Sequence, residues 1–236
     1  MAEIEGLVRA LREGDDAAKA AAAQALGDLL YDDLTANDDA NIILIAEAGA
    51  IPPLVKLLRD GSAEANAGAA WALRHLAYKN AVNQVAIAEA GAIPLLVDLL
   101  RHGSADAKEE AACALRILAC NDDNQALIAE AGGIPPLVEL VRDGSAEAKV
   151  EAAWALRNLA TDNNDANKVA IAAAVSSDAL VELARRGRVT VQGQSVVQNA
   201  ALPAKRKAAL VVAELLRDFV SDSVPRDIKG LIGTYL

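Results

Sequence analysis

The chain has 236 residues, of which 53% are hydrophobic and only 3% aromatic, and its net charge is −10. This length allows one or two domains with a sizeable core, and apolar side chains supplied largely by alanine and leucine favour packed helices over sheets, so we expect an all-α fold. Residues 1–187 carry −13 and the remainder +3, an acidic body that argues against nucleic-acid binding and against anionic membrane surfaces.

The N-terminal sequence lacks the basic start and apolar run of a signal peptide, and no apolar stretch approaches the roughly 20 residues that span a bilayer. We therefore expect a soluble protein of the cytoplasm or nucleus with no membrane insertion. Cys113 and Cys120 lie seven residues apart, too far to bridge on one helix. Their expected role is packing.

The first 36 residues predict two helices, "IEGLVRALREG" followed by "DDAAKAAAAQALGDLL". This pair lacks the short opening helix of the later units, so we interpret residues 1–36 as an N-terminal capping repeat. The polar segment "YDDLTANDDAN" that follows is expected to form an extended loop.

A fixed period of 41 to 42 residues begins after this segment, as the spacing of Gly49, Gly91 and Gly132 shows. Such a period is typical of a solenoid. Each unit predicts a short helix stopped by glycine, a second helix that opens on "IP", and a third helix that a serine caps. The prolines of the second helix are Pro52, Pro94 and Pro135, and the capping serines are Ser62, Ser104 and Ser145.

We predict a single domain of about five repeats. Residues 37–79, 80–120 and 121–162 form full repeats, and residues 163–236 form a divergent C-terminal repeat with an inserted loop near 188–201. The last residues, "VPRDIKGLIGTYL", have apolar positions at helical spacing. They are expected either to cap the solenoid or to offer a helix that makes a homodimer.

The recurring motifs "EAGAIPPLVKLLRDGS" and "EAAWALRNLA" resemble the armadillo repeat. The resemblance is closest to the repeat sequences of importin-α, plant U-box ligases and vacuolar-type armadillo proteins. The resemblance implies a right-handed superhelical solenoid. It also implies that the third helices line a concave groove, which holds an extended segment of a partner protein or peptide.

In importin-α the groove carries a tryptophan and, four residues on, an asparagine. Trp154 with Asn158 completes this pair here, and Trp71 with His75 is a variant in which imidazole can also donate and accept. The middle repeat has Cys113 and Ile117 at these positions, which weakens an importin-α-like role as a binder of nuclear-localisation signals.

Three arginines, Arg74, Arg116 and Arg157, stand three residues after the tryptophan position, where importin-α has a small serine. Their planar guanidinium suits a partner's carbonyls, carboxylates or phosphates. Alternatively they pair with Glu110 and Glu151 of neighbouring third helices and order the solenoid.

Tyr78 follows Trp71 by seven residues, so it is expected on the same helix face, either as a binding anchor or as packing. The acidic body and the tryptophan faces favour a basic partner, whereas the arginine row favours an acidic one. We expect basic-plus-aliphatic segments because the net charge sets the long-range field.

We predict no catalytic site, no metal and no cofactor. The two histidines, His75 and His102, lie on different predicted helices, and the Asp-rich runs fall where helices are capped rather than at calcium-loop spacing. The predicted function is a non-enzymatic protein-interaction adaptor. The alternatives are a structural solenoid that self-associates through its tail and an importin-α-like signal binder.

Overall fold

The structure is a computed structural model that describes residues 1–36, 40–161 and 164–175. Every regular element within these ranges is an α-helix, which confirms the all-α prediction. The chain divides into two compact units, Met1–Ala131 and Gly132–Leu236.

The N-terminal pair consists of α1 (Ala2–Glu13) and α2 (Asp16–Ala36). Asp15 caps α2, since its Oδ1 accepts a hydrogen bond from the amide of Ala18 at 2.8 Å. The prediction of a loop over residues 31–41 was wrong for residues 31–36, which continue α2 as helix, and for residues 40–41, which begin the next helix; residues 37–39 lie outside the described residues. The physical reason is that this segment has alanine and leucine but no proline or glycine, so nothing in it stops a helix already under way.

The rest of the first unit repeats one arrangement of three helices. The first helix is short and ends at a glycine, the second is apolar on one face, and the third is the longest. These helices are α3 (Ala40–Glu47), α4 (Ile51–Asp60), α5 (Ala63–Ala77), α6 (Ala81–Glu89), α7 (Ala92–His102), α8 (Ala105–Leu118) and α9 (Asp122–Glu130).

The second unit contains α10 (Ile134–Asp143), α11 (Ala146–Leu159) and α12 (Asp165–Val175). These are the second and third helices of one repeat and the first helix of the next. The predicted inserted loop, final helix and C-terminal tail lie outside the described residues.

In the three full repeats, the caps at the helix boundaries form where the local sequence predicts them. Each of the three capping serines accepts a hydrogen bond from the amide three residues on, at 3.0 to 3.2 Å. Gly49, Gly91 and Gly132, which follow the first helices, have φ between 73° and 83°. Only glycine adopts this left-handed conformation without strain.

The core of the first unit lies between successive third helices and the shorter helices that cover them. Helix α5 packs against α2 on one side and α8 on the other. Leu26, Leu73, Leu76 and Leu115 are almost completely buried in this stack. Any surface that repeats along this unit is therefore formed by the stacked third helices.

A buried row of amide side chains joins consecutive helices, and the sequence analysis missed it. Asn83 Nδ2 donates to the Leu76 carbonyl, and Asn124 Nδ2 donates to the carbonyls of both Leu118 and Gln84. The bonds to Leu76 and Leu118 satisfy carbonyls at the ends of third helices, and the bond to Gln84 links α9 to α6. The signal was available, because an asparagine stands eight residues before the glycine in each repeat.

No single helix in the ranges that the structure describes is long and apolar enough to cross a membrane. Two pairs of consecutive helices, α3 with α4 and α6 with α7, are long and apolar enough for a membrane span when the two helices of a pair are counted together. This holds by length and composition only, and the two helices of each pair meet at bends of 74° and 78°.

Candidate functional site

The third helices of the first unit enclose an open pocket of about 460 Å³. Its floor includes Gly68 and the half-buried Trp71 of α5, and Gln24 of α2 reaches it from one side. Three carboxylates line it: Glu64 at the start of α5, and Asp106 and Glu110 of α8. A pocket with an indole and three carboxylates favours a cationic or amide-bearing group.

Trp71 is held in place by a glycine of the preceding third helix. A Cβ at Gly27 would collide with the indole Cδ1 and Nε1 atoms, so the ring lies directly against the backbone of α2. The indole Nε1 is buried and has no hydrogen-bond partner among the described residues. Packing rather than hydrogen bonding fixes this ring.

An aromatic cluster surrounds Trp71. The Tyr31 ring centroid lies 5.8 Å from the Trp71 centroid and 5.9 Å from that of His75, and the centroids of Trp71 and His75 are 4.6 Å apart at 69° between planes. Such tilted and edge-on pairs are favourable. Tyr31 is 50% exposed, so it forms the solvent-facing wall of the cluster.

His75, predicted to contact a partner's backbone, is only 4% exposed. Burial, reinforced by the charge of the adjacent Arg74, lowers the pKa of His75 to about 4, so the imidazole is neutral near pH 7. Its Nε2 accepts from Arg74 Nε at 3.4 Å, while its Nδ1 is buried without a partner in the described structure. So little of this ring is exposed that a partner could contact it only after neighbouring side chains moved.

Arg74 contacts two residues that line the pocket, Trp71 and Glu110. Its Cζ stands 4.3 Å from the Trp71 ring centroid, and its Nη1 lies 2.9 Å from Glu110 Oε2. The two side chains of this ion pair are 18% and 16% exposed. The expected pairing of an arginine with a carboxylate of the next third helix is therefore present for Arg74 and Glu110.

The middle repeat lacks an aromatic platform. Cys113 and Ile117 of α8 are buried, at 4% and 6% exposed. Arg116 is half-buried, and its Nη2 lies 3.5 Å from Cys113 Sγ. Cys120, just beyond the helix end, is exposed, and no disulfide joins it to Cys113.

Tyr78 ends α5 and is half-buried. The next residue, Lys79, has a φ of 52°, and its Nζ lies 5.1 Å from the Tyr78 ring centroid. Tyr78 thus has an intramolecular cation over its ring.

The second unit holds the complete tryptophan and asparagine pair on α11. Trp154 and Asn158 are half-buried, as is Glu151 one turn earlier. Arg157 is exposed, and its Cζ lies 4.8 Å from the Trp154 ring centroid. The arginine-on-tryptophan contact therefore occurs in both units, and it is tighter at Trp71.

The described residues contain no group of three or more histidine, cysteine, aspartate or glutamate side chains that could hold a metal ion. His102 is exposed at the end of α7. The second histidine is thus far less buried than His75.

The Armadillo/beta-catenin-like repeat family matches residues 38–78, 80–120 and 121–161, together more than half of the chain. The chain belongs to the armadillo repeat family. Its all-α solenoid fold is that of a protein-interaction scaffold, and the resemblance inferred from the recurring motifs is confirmed. No curated protein matches the chain.

The solved structures similar to this armadillo chain include engineered proteins. A designed armadillo repeat protein is 29% identical with a TM-score of 0.72, over 90% of this chain and 82% of its own. Another, solved in complex with the peptide (KR)4, is 25% identical with a TM-score of 0.69, over 98% and 96% of the two chains. A third, described only as an engineered protein, is 26% identical with a TM-score of 0.72, over 99% and 94%.

Proposed function

We propose that this armadillo protein is a non-enzymatic adaptor that binds an extended segment of a partner protein along the exposed faces of its third helices. The observation that carries the proposal is the pocket between these helices, which joins the Trp71 indole to the carboxylates of Glu64, Asp106 and Glu110. Stacked helices lie about 10 Å apart, and an extended chain rises about 3.3 Å per residue. An extended ligand therefore advances by about three residues from one repeat to the next, and every third residue of the ligand faces the same position of successive repeats.

The charge of the pocket selects the ligand class. Glu64 and Asp106 are exposed carboxylates at the starts of α5 and α8, and the whole chain is acidic, so a partner segment with lysine or arginine is attracted at long and short range. The solved complex of a designed armadillo relative with (KR)4 supports the same class. We propose a basic segment, with aliphatic stems lying on the indole.

The experiment is a peptide-array screen at two salt concentrations, followed by calorimetry with the best basic peptide. Removing two pocket carboxylates in Glu64→Gln/Asp106→Asn should lower the affinity for that peptide roughly three- to tenfold and make the affinity less dependent on salt concentration. The matched control is Glu89→Gln/Glu130→Gln, which changes net charge equally at exposed residues on α6 and α9.

Two further double variants test the rest of the predicted surface. Trp154→Ala/Asn158→Ala should weaken binding of an extended peptide, and Arg116→Ala/Arg157→Ala should weaken only acidic or phosphorylated peptides. If no peptide binds, or every variant binds like wild type, these faces are not the functional surface. A molecular mass in solution that rises with protein concentration, and that falls when residues 225–236 are deleted, would then favour the self-associating solenoid.

A further inference from the structure

The face of Trp71 is already occupied by a cation from the same chain. The Arg74 Cζ lies 4.3 Å from the indole centroid, well within the roughly 6 Å over which a guanidinium is attracted to a tryptophan face. A lysine or arginine of a partner that stacked on this face would need the position that Arg74 holds. Two cations cannot stack on one side of one indole.

Arg74 also occupies the carboxylate that would attract such a ligand. Its Nη1 lies 2.9 Å from Glu110 Oε2, with both side chains less than one-fifth exposed, so solvent screens this pair less than it would screen a surface pair. Its Nε and Nη2 lie 3.4 and 3.3 Å from His75 Nε2. The guanidinium is thus held on three sides, by an indole, a carboxylate and an imidazole nitrogen.

The corresponding arginine of the second unit is held less firmly. Arg157 is exposed, and its Cζ lies 4.8 Å from the Trp154 centroid. An exposed arginine leaves its indole at lower cost than a half-buried one held by an ion pair. The two tryptophans therefore differ in how readily each can accept a foreign cation.

We infer that Arg74 is a built-in occupant of the cation site on Trp71 and that it sets the specificity of the binding surface. A basic side chain can stack on the indole face that Arg74 covers only by displacing Arg74 from both the indole and Glu110. Trp154 is the more accessible of the two platforms. This inference rests on the proposed function, because it concerns which position of that surface accepts a ligand cation.

The first test measures the indole itself and does not depend on peptide binding. Trp71 and Trp154 are the two tryptophans of the chain, so Trp154→Phe leaves Trp71 as the single fluorophore. Adding Arg74→Ser should raise the acrylamide quenching constant of Trp71, and millimolar N-acetyl-arginine amide should lower it again. In Trp154→Phe alone, the same amide should have no effect.

Two variants guard against indirect effects. Arg59→Ser removes an exposed arginine of α4, so it changes net charge without touching the site, and its quenching should match that of Trp154→Phe. Arg74→Ser/Glu110→Gln has the same net charge as the Trp154→Phe background. It also removes the half-buried carboxylate that Arg74→Ser alone would leave without its arginine. It should show the same protection by the amide, and it serves if Arg74→Ser alone folds poorly.

The second test uses the peptide (KR)4 in the Trp154→Phe background. Loss of Arg74 should tighten binding roughly three- to thirtyfold, the range expected for a freed cation–π contact, while Arg59→Ser stays within about twofold. If (KR)4 binds but Arg74→Ser is no tighter than Arg59→Ser, Arg74 is not a competitor and the inference is overturned, although the proposed function stands.

If (KR)4 binds to none of the variants, the proposed basic ligand fails. The arginine amide then decides the inference separately. If the amide protects Trp71 from quenching only after Arg74 is removed, the inference is upheld. If the quenching constant of Trp71 is the same with and without Arg74, the inference is overturned.

Discussion

The indole of Trp71 lies directly against the backbone of Gly27, one repeat earlier, with no room for a β-carbon between them. Gly27 is in the middle of α2, where glycine is otherwise unfavourable. The close approach of two consecutive third helices therefore fixes the position of the aromatic platform, and Gly27 is retained by packing rather than by backbone conformation.

Gly27→Ala should displace Trp71 and destabilise the protein by about 1–2 kcal/mol, because the clash outweighs the gain in helix propensity. Gly68→Ala is the matched control. Its β-carbon would meet Gln24 N at 3.4 Å and Ala23 Cβ at 3.6 Å, ordinary contacts, so its stability should stay within about 1 kcal/mol of wild type. Urea unfolding and the Trp71 emission maximum in the Trp154→Phe background measure both effects, and equal behaviour of the two variants would contradict the packing account.

His75 should make stability depend on pH. Its pKa in the folded protein is about 4, against an ordinary value of 6.5, so between these values the unfolded chain binds a proton that the folded chain does not. Stability is then full above pH 6.5 and falls as the pH drops toward 4, by up to about 3 kcal/mol from this residue.

His75→Gln should remove that part of the pH dependence. The quantity to measure is the difference in unfolding free energy between wild type and variant at several pH values from 7.5 to 4.5, which cancels the carboxylates common to both. His102→Gln, at the other and exposed histidine, is the matched control. A parallel pH profile for wild type and His75→Gln would show that the imidazole charges freely in the folded state.

The buried amide row predicts unequal costs for two asparagines at the start of α9. Asn124 is 2% exposed and donates to two carbonyls, so Asn124→Ala should cost about 2–3 kcal/mol, since both acceptors remain buried. Asn121 supplies only the N-cap bond to the amide of residue 124 among its described side-chain contacts, so Asn121→Ala should cost about 1 kcal/mol. Thermal or urea unfolding compares them, and an equal or reversed order would rule out the linking role of Asn124.

Two glycines with the same backbone conformation should respond differently to alanine. Gly49 and Gly91 have φ of 77° and 83°, so each substitution should cost about 1 kcal/mol in strain. At Gly49 the new β-carbon would also stand 2.7 Å from Arg12 Nη2, which donates to the Ala48 and Gly49 carbonyls at 3.0 and 3.2 Å. At Gly91 nothing lies within 4 Å.

Gly49→Ala should therefore be the more destabilising of the two, by roughly a further 0.5–1 kcal/mol for the displaced bonds. Arg12→Ala in each background checks the cause. Once Arg12 is gone, the difference between the two glycine substitutions should disappear, and a difference that persisted would place its origin in the backbone alone.

The sequence alone determined the features of this protein that depend on nearby residues. The capping serines, the prolines of the second helices and the left-handed glycines act within one turn of helix, so Ser62 or Gly91 could be assigned from its neighbours. The repeat period and the all-α class follow from the same local pattern repeated three times. The same reasoning placed Trp71, Arg74 and Glu110 on third helices, and it offered the pairing of an arginine with Glu110 as one of two interpretations.

Tertiary structure decided which of these side chains remain accessible. Tyr31 from another repeat packs edge-on against His75, the position of Trp71 requires Gly27, and the ion pair of Arg74 requires Glu110, 36 residues further on. Such contacts depend on how closely consecutive third helices approach, a distance that a helical wheel does not contain. A helix sequence assigns a side chain to a face, but only the neighbouring helices determine whether that face is open, covered or already occupied.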